Sequence, residues 1–286
     1  MVNSILFYNA KMLINLSRWR FWLYLAGPYL VGYTIGIDNP EQLLNWWFWL
    51  HLLFFLFPAN LLLYGVNDIF DTDTDAINPK KGSVEHKLLN NEKPIISNAV
   101  IFMLVLSIIM ILIQKNIYNS VMIAVFVLLS IAYSTPPVRL KARPFFDSAS
   151  NVLYAVPGFL GYQHASGQIV PFKWIIIAAL WTAAMHLYSA IPDIESDIKA
   201  RLNTTATFLG FKGSLILCTF LWLAFALCII YTLHYNIFTF ALLIYPIIPA
   251  VLIFQKKETT AKVYWYFPII NTIIGMAAFF VVILNK

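Results

Sequence analysis

The sequence predicts an all-α fold, a polytopic membrane bundle of nine transmembrane helices. Of its 286 residues, 60% are hydrophobic and only 11% are charged, and the mean hydropathy is +0.75. A soluble domain of this length carries about 25% charged residues. The composition therefore excludes a soluble globular protein and predicts one membrane-embedded domain over residues 1–286.

The nine spans are predicted from apolar stretches close to the roughly 20 residues that cross a bilayer. They are residues 21–37, 46–66, 95–114, 117–135, 149–165, 174–192, 214–233, 236–255 and 264–284. Loops on the cytoplasmic side carry an excess of Lys and Arg. With a cytoplasmic N-terminus, all of the 19 Lys and Arg residues except Lys115, Lys173 and Lys286 fall on that side. The basic pI therefore reflects membrane topology, and no nucleic acid partner is predicted.

Two short acidic segments follow the second and the sixth predicted spans. The string N-D-I-F-D-T-D-T-D runs from Asn67 to Asp75, and P-D-I-E-S-D runs from Pro192 to Asp197. Even-numbered spans run from outside to inside, so both segments should open on the cytoplasmic face. Carboxylates at membrane depth are costly and usually functional. Incidental acids at solvated helix ends would explain one such segment more readily than two on one face.

The spacing of these acids predicts a divalent metal site. At 100° per residue, Asp68, Asp71 and Asp75 lie within about 60° of one another, and Asp193 and Asp197 share a face at i, i+4. Both groups lie at helix C-termini, where the helix dipole is already negative. The basic residues follow in loops instead of pairing within the acidic stripe, so a metal ion is the expected counter-charge. Oxygen ligands without His or Cys spacing favour Mg²⁺. The predicted ligands are Asp68, Asp71, Asp75, Asp193 and Asp197, with Asn67 assisting.

Basic loops next to these acids predict a diphosphate substrate. Magnesium is usually held by a few carboxylates together with substrate phosphates, and cations neutralise a leaving diphosphate. The candidate substrate-binding residues are Lys81, Arg139 and Lys141, followed by Asn67, Lys199 and Tyr133. A diphosphate site at the mouth of an apolar bundle suits a lipid tail, whose ionisation leaves a carbocation that needs a dry, aromatic pocket.

His186 precedes Asp193 by seven residues and shares a helical stripe with Ser189. It is either a partner in a helix–helix hydrogen bond or a group that accepts a proton or positions water at the reacting carbons. The predicted catalytic residues are Asp68, Asp71, Asp193 and His186. No Lys or Arg lies deep in a predicted span, and Arg18 and Arg20 sit at an interface. An apolar acceptor is therefore favoured over an acidic one.

These motifs and the nine spans resemble the UbiA superfamily of intramembrane prenyltransferases. The resemblance rests on N-D-x-x-D-x-x-x-D at Asn67 to Asp75 and on D-x-x-x-D at Asp193 to Asp197. It implies a helical bundle with a central cavity and two Mg²⁺ ions between the motifs. It also implies a prenyl diphosphate donor, and loops after helices two and six that cap the site.

A narrower resemblance is to lycopene elongases. It is carried by three segments, Tyr64–Glu85, Pro144–Tyr162 and Met185–Asp197. It implies transfer of a dimethylallyl group to the ends of lycopene, often with addition of water. One departure is the string R-L-N at Arg201–Asn203, where a glycine-containing turn is expected. The sequence thus predicts Mg²⁺-dependent transfer of a prenyl group to an apolar acceptor at the cytoplasmic face of the membrane.

Two other functions remain open from the sequence. One is prenylation of an aromatic quinone precursor such as 4-hydroxybenzoate. The other is cation-coupled transport, because intramembrane carboxylates also mark ion pathways. A transporter would have its acids near the midplane and paired inverted repeats, whereas the acids here lie at one face.

Overall fold

All the regular secondary structure in the described part of the chain is helical. A computed structural model describes residues 2–72, 86 and 88–286, with side chains from Phe7 onward. The α-helices are α1 (Val2–Leu16), α2 (Leu23–Gly36), α3 (Trp46–Leu56), α4 (Pro58–Phe70), α5 (Lys93–Leu112), α6 (Ile117–Ser134), α7 (Phe146–Ala149), α8 (Val156–Ser166), α9 (Phe172–Ala190), α10 (Ile194–Lys199), α11 (Thr205–Thr232), α12 (Ile244–Leu252), α13 (Lys257–Tyr264) and α14 (Phe267–Ile283). Short 3₁₀ turns are Trp19–Phe21, Pro40–Leu44, Leu140–Ala142, Ser150–Tyr154, Ile191–Asp193 and Ile237–Leu243. The all-α prediction is confirmed for these residues.

Helices long and apolar enough to cross a bilayer are fewer than the sequence predicts. Within the described ranges there are five, Trp46–Phe70, Lys93–Leu112, Ile117–Ser134, Phe172–Lys199 and Thr205–Thr232. The pair α13 and α14, bent by 43°, adds a sixth if it forms one span. These helices establish the chain as an integral membrane protein. The count of nine is not confirmed and stays a prediction.

Three predicted spans are only partly α-helical. The stretch 21–37 contains α2, whose 14 residues reach about 21 Å, short of the roughly 30 Å of a hydrocarbon core. The stretch 149–165 is divided between the 3₁₀ turn Ser150–Tyr154 and α8, with Pro157 near the break. The stretch 236–255 is divided between Ile237–Leu243 and α12. Proline lacks the backbone donor that continues a helix, which fits the break next to Pro157.

The described chain divides into two compact units. The first comprises Met1–Arg139, Val156–Val170 and Pro268–Lys286, and the second comprises Leu140–Ala155 and Pro171–Phe267. The Asn67–Asp71 part of the first acidic motif belongs to the first unit. Asp193 and Asp197 belong to the second unit. The prediction of one domain over the whole chain stays a prediction.

Glycines allow α2 and α8 to pack closely within the first unit. A Cβ added at Gly161 would lie 2.5 Å from the Tyr29 carbonyl oxygen, and one at Gly36 would lie 2.7 Å from the Tyr162 carbonyl oxygen. Small residues at such contacts let helix backbones approach one another in a membrane. This contact supports the part of the first unit that carries Tyr29 and the aromatic side chains around it.

Adding a methyl group at Gly161 should destabilise the protein. Its Cβ has no room next to Tyr29, so we expect Gly161→Ala to cost about 1–3 kcal/mol through overpacking. Thermal unfolding in detergent measures the effect. The matched control is Gly27→Ala, since a Cβ at Gly27 meets nothing within 4 Å. Equal melting temperatures for the two variants would contradict the packing described here.

The second unit is built around a buried aromatic cluster. Phe267 lies 4.8 Å from the Tyr188 ring and 5.4 Å from the Trp222 ring, and Trp222 lies 5.6 Å from Tyr245. The Tyr188 hydroxyl donates to the Thr260 carbonyl at 3.2 Å. This cluster fixes the C-terminal part of α9, which leads directly into the second acidic motif.

Helix α11 begins nine residues earlier than the predicted span 214–233. The Thr204 side chain accepts from the backbone N–H of Thr207 and caps the helix. Gly210 then interrupts the helical geometry with φ 68° and ψ −177°, a conformation that glycine adopts without steric cost. Cys218 and Cys228 both lie in α11 and are free thiols.

Candidate functional site

The first acidic motif ends helix α4 with two buried carboxylates. Asp68 and Asp71 are 2% and 3% exposed. The α-helix stops at Phe70, and Asp71 has non-helical angles of φ −112° and ψ 9°. The helix thus ends one residue before Asp71, and Asp75 lies outside the described residues, so the helical stripe of the three aspartates stays a prediction. Asn67 nevertheless ties Asp71 to the same side, because its Nδ2 donates to Asp71 Oδ2 at 2.6 Å and to Ser134 Oγ at 2.9 Å.

Two arginines approach these carboxylates. Arg18 Nη2 lies 3.4 Å from Asp68 Oδ1 and 3.4 Å from Asn67 Oδ1. Its guanidinium carbon lies 4.5 Å from the centre of the Tyr64 ring. Arg139 Nη2 lies 3.7 Å from Asp71 Oδ1. The expectation that basic residues do not pair with the acidic stripe is therefore wrong. Arg18 and Arg139, which are distant in sequence, contact its carboxylates in the fold.

Both arginines stand on strained backbone. Arg18 has φ 52° and ψ 61°, and Arg139 has φ 38°. A non-glycine residue in the left-handed region costs on the order of 1–3 kcal/mol and persists where the surroundings fix it. Such residues cluster at active sites, which supports a functional role for both.

Arg139 has hydrogen-bonding capacity that the described residues do not use. Its Nε and Nη2 atoms are buried and have no hydrogen-bond partner among them, and the side chain is 27% exposed. Buried polar groups are normally satisfied, so these two nitrogen atoms can still bind a further partner. This arrangement fits an anion such as a phosphate, which guanidinium groups bind in a forked geometry.

Other predicted residues of this region are placed as follows. Tyr133 is partly buried in the last turn of α6, and Lys141 is partly buried in the 3₁₀ turn after Arg139. Asp75 and Lys81 lie outside the described residues. Their roles stay predictions.

The second acidic motif lies where α9 passes through the 3₁₀ turn Ile191–Asp193 into α10. Pro192 lies in that turn, where a proline interrupts the helix just before Asp193. Asp193 and Asp197 are partly buried, and Lys199 is exposed at the end of α10. The Glu195 side chain is 73% exposed and pairs with Lys257 at 3.1 Å, so it faces solvent. The two aspartates are the acids of this segment suited to a shielded site.

The loop after this motif explains the departure at Arg201. Arg201 has φ 54°, in the left-handed region that glycine usually occupies. The backbone N–H of Leu202 donates to the Asp197 carbonyl at 2.9 Å and closes the turn. The sequence expectation of a glycine-type turn is met in conformation, although an arginine occupies the position.

The second unit also contains a buried acid–histidine pair. Asp147 is fully buried, and its Oδ2 lies 3.8 Å from His186 Nε2. Thr205 donates its backbone N–H to Asp147 Oδ2 at 2.8 Å and its hydroxyl to Oδ1. Burial raises the pKa of the Asp147 carboxyl, but the neighbouring His186 ring and the hydrogen bonds from Thr205 lower the pKa below its usual range. Asp147 is therefore ionised at neutral pH.

Sequence reasoning singled out His186 but not Asp147. The acid lies in a segment, P-F-F-D, that carries no metal-ligand spacing and sits 39 positions before His186 in the chain. The signal that could have identified Asp147 is a single carboxylate next to a largely apolar segment.

The donor set suits Mg²⁺ chemically. Among the described residues, no group of three or more His, Cys, Asp or Glu is arranged to hold a metal ion. Asp75, one predicted ligand, is outside them. The residues that are described offer carboxylate and amide oxygens, the hard ligands that Mg²⁺ prefers. The metal site stays a prediction.

A family model decides the affiliation of the chain. The model of the UbiA prenyltransferase family matches residues 25–273. The chain belongs to the UbiA prenyltransferase family. It is therefore a prenyltransferase, and the predicted resemblance is confirmed. Membership in the UbiA family also favours an enzyme over the cation-coupled transporter that the sequence left open.

Relatives and solved structures agree with this assignment. The chain is 39% identical to the lycopene elongase/hydratase of Haloarcula japonica, over 92% of this chain and 88% of that protein. It is 37% identical to the lycopene elongase/hydratase of Halobacterium salinarum, over 93% and 94%. A UbiA homolog from Archaeoglobus fulgidus, solved bound to DMAPP and Mg²⁺, has a TM-score of 0.71 at 20% identity, over 96% of this chain and 99% of that one. At this identity the structural likeness shows the UbiA fold.

Proposed function

We propose that this prenyltransferase transfers a prenyl group from an allylic diphosphate to the end of an acyclic carotenoid such as lycopene. The proposed donor is dimethylallyl diphosphate. The observation that carries the proposal is the 39% identity to a lycopene elongase/hydratase over nearly the whole chain. Both chains are then expected to act on the same class of acceptor. The proposal also includes a cytoplasmic N-terminus and an active site that opens to the cytoplasmic face.

The donor diphosphate is bound by cationic side chains in this proposal. The unsatisfied guanidinium atoms of Arg139 support a contact with phosphate oxygens, and Lys81, Lys141 and Lys199 supply further charge. Tyr133 and Asn67 complete the donor side. Neutralising the diphosphate as it leaves is the largest electrostatic demand of the reaction.

The acidic motifs are proposed to hold Mg²⁺ through Asp68, Asp71, Asp75, Asp193 and Asp197. When bound there, Mg²⁺ supplies positive charge that favours departure of the diphosphate. Asn67 orients Asp71 through its 2.6 Å hydrogen bond. Arg18 and Arg139 offset the carboxylate charge that would otherwise lie uncompensated near the membrane.

The placement of Arg18 supports an apolar acceptor. Enzymes that bind an acidic aromatic acceptor need a cation for its carboxylate. Arg18 is engaged with Asp68 and Asn67 and lies over the Tyr64 ring, and Arg20 is exposed. A polyene acceptor makes no such demand.

Acceptor choice is tested with purified protein and radiolabelled dimethylallyl diphosphate. We expect label to enter lycopene and not 4-hydroxybenzoate, as measured by chromatography of the extracted products. Label in the aromatic acid with none in lycopene would replace the carotenoid proposal by the quinone-precursor alternative. Longer allylic diphosphates in parallel reactions define the donor.

Removal of the divalent metal should abolish turnover. The buried carboxylates need a cation to bind a diphosphate of like charge, so we expect EDTA to reduce product formation to background and added Mg²⁺ to restore it. Product formation is measured by the same chromatography. Undiminished activity in excess EDTA would contradict the proposed metal dependence.

A further inference from the structure

The buried pair of Asp147 and His186 lies outside the residues assigned to donor and metal. Asp147 is in α7, His186 is in α9, and Thr205 is at the start of α11. The carboxylate accepts two hydrogen bonds from Thr205 and one from the backbone N–H of Ser148, at 2.8 Å. Its position is therefore fixed from two elements of the second unit.

The backbone of Asp147 is fixed as well. Its carbonyl accepts from Asn151 Nδ2 at 2.6 Å and from Ser150 Oγ at 3.1 Å. A carboxylate held in this way has little freedom to move when its neighbour changes protonation. Preorganised groups of this kind stabilise a charge that appears during a reaction without further rearrangement.

His186 retains access to its surroundings. Its side chain is 14% exposed, whereas Leu187 and Tyr188 next to it are fully buried. It precedes Asp193 by seven residues, two helical turns along the element that carries the second acidic motif. A buried charged acid beside a partly accessible imidazole is a usual arrangement for a group that accepts a proton.

We propose that His186 accepts the proton released after prenylation of the acceptor, and that Asp147 positions the imidazole and balances the imidazolium charge. The inference rests on the proposed carotenoid prenylation. His186 is the catalytic residue in this step, and Asp147 is a positioning residue. Thr205 holds Asp147 in place.

The step balances in electrons and protons. The π pair of the acceptor forms the new C–C bond to the donor carbon, the C–O bond of the diphosphate breaks, and a tertiary cation remains on the product. In one outcome, the electron pair of a neighbouring C–H bond forms a C=C bond with the cationic carbon, and the proton passes to the His186 ring. In the other, water forms a C–O bond to the cation and its excess proton passes to the same ring.

The experiment measures two products of one reaction, the elongated carotenoid and the prenyl alcohol formed when the donor cation is captured by water. Asp147→Asn should lower elongated carotenoid about tenfold or more while total diphosphate release falls less than threefold. The ratio of prenyl alcohol to elongated carotenoid then rises. A merely structural role would lower both products together and leave this ratio unchanged.

A structural control uses the same hydrogen-bond network. Thr205→Val removes the hydroxyl bond to Asp147, but the carboxylate keeps its charge and its bonds from the backbone N–H groups of residue 205 and Ser148, and His186 is unchanged. We expect it to lower the melting temperature in detergent and to reduce both products in parallel. A ratio shift in Thr205→Val equal to that in Asp147→Asn would overturn the assigned role of the acid.

A second variant keeps the test decisive if Asp147→Asn does not fold. His186→Gln should produce the same ratio shift, and the double variant should be no worse than either single one, because the two residues act as a unit. An unchanged ratio in His186→Gln would overturn the proposal. Failure of the proposed function can be distinguished from failure of this inference, because the unmodified protein would then form no elongated carotenoid at all.

Discussion

Replacing Asp68 by asparagine should reduce prenyl transfer by about 10³-fold or more. Asp68 is buried at the end of α4 and is one of two carboxylates held near Arg18 and Arg139. Asparagine keeps the shape of the side chain but removes the negative charge that would hold a divalent cation, and that charge supplies several kcal/mol to the departure of a diphosphate. Labelled product per unit time, in purified protein with saturating Mg²⁺, measures the effect.

The control for this prediction is a carboxylate in the second motif that faces solvent. Glu195→Gln removes a charge whose pairing partner is the exposed Lys257, and exposed ion pairs contribute little. We expect this variant to keep activity within about twofold, and Asp193→Asn to match Asp68→Asn. Near-normal turnover of Asp68→Asn in folded protein would refute the acidic site. A melting temperature close to that of the unmodified protein excludes misfolding as the cause.

Much of the proposed site can be inferred from the sequence because its information is local. Two acid-rich strings follow apolar stretches near the points where α4 and α9 end, and their oxygen donors predict Mg²⁺, which stays a prediction. The end of α4 next to Asp68 and the break at Pro192 follow from the same strings. Local sequence patterns therefore predicted the functional class before any contact was known.

The residues that were missed depend on contacts between distant parts of the chain. Arg18 reaches Asp68 across 50 positions, and Thr205 reaches Asp147 across 58. Helical periodicity carries no information about contacts between residues so far apart in the sequence. The left-handed backbone of Arg18 adds to the difficulty, because no glycine or asparagine marks it in the sequence.

The lengths of the helices are hard to predict from hydropathy alone. Apolar composition identifies each of the nine stretches, yet α2 has 14 residues and α8 has 11. Their close packing through Gly36 and Gly161 buries short helices against one another. Hydropathy measures how apolar a stretch is and not where its helix stops, so the shorter helices were overestimated.

Replacing Arg139 by glutamine should lower kcat/KM for the prenyl diphosphate about 10²-fold. Two buried nitrogen atoms of its guanidinium have no hydrogen-bond partner among the described residues, and its backbone is held at a positive φ of 38°. These features fit a side chain that binds phosphate oxygens of the donor. Charge-assisted bonds to phosphate are roughly twice as strong as neutral ones, and losing one donor that stabilises developing charge costs about 10²–10³-fold.

The comparison of three variants separates charge from geometry. Arg139→Lys keeps the charge but loses the planar fork, so we expect an intermediate loss of roughly tenfold. Arg20→Gln removes an exposed arginine of the same unit that lies over the Trp19 ring at 5.6 Å, and it should change kcat/KM less than twofold. If Arg139→Gln and Arg20→Gln gave the same donor kinetics, the diphosphate contact would be excluded. A loss confined to Arg139→Gln, with lysine in between, would show that this position binds the donor through both its charge and its forked geometry.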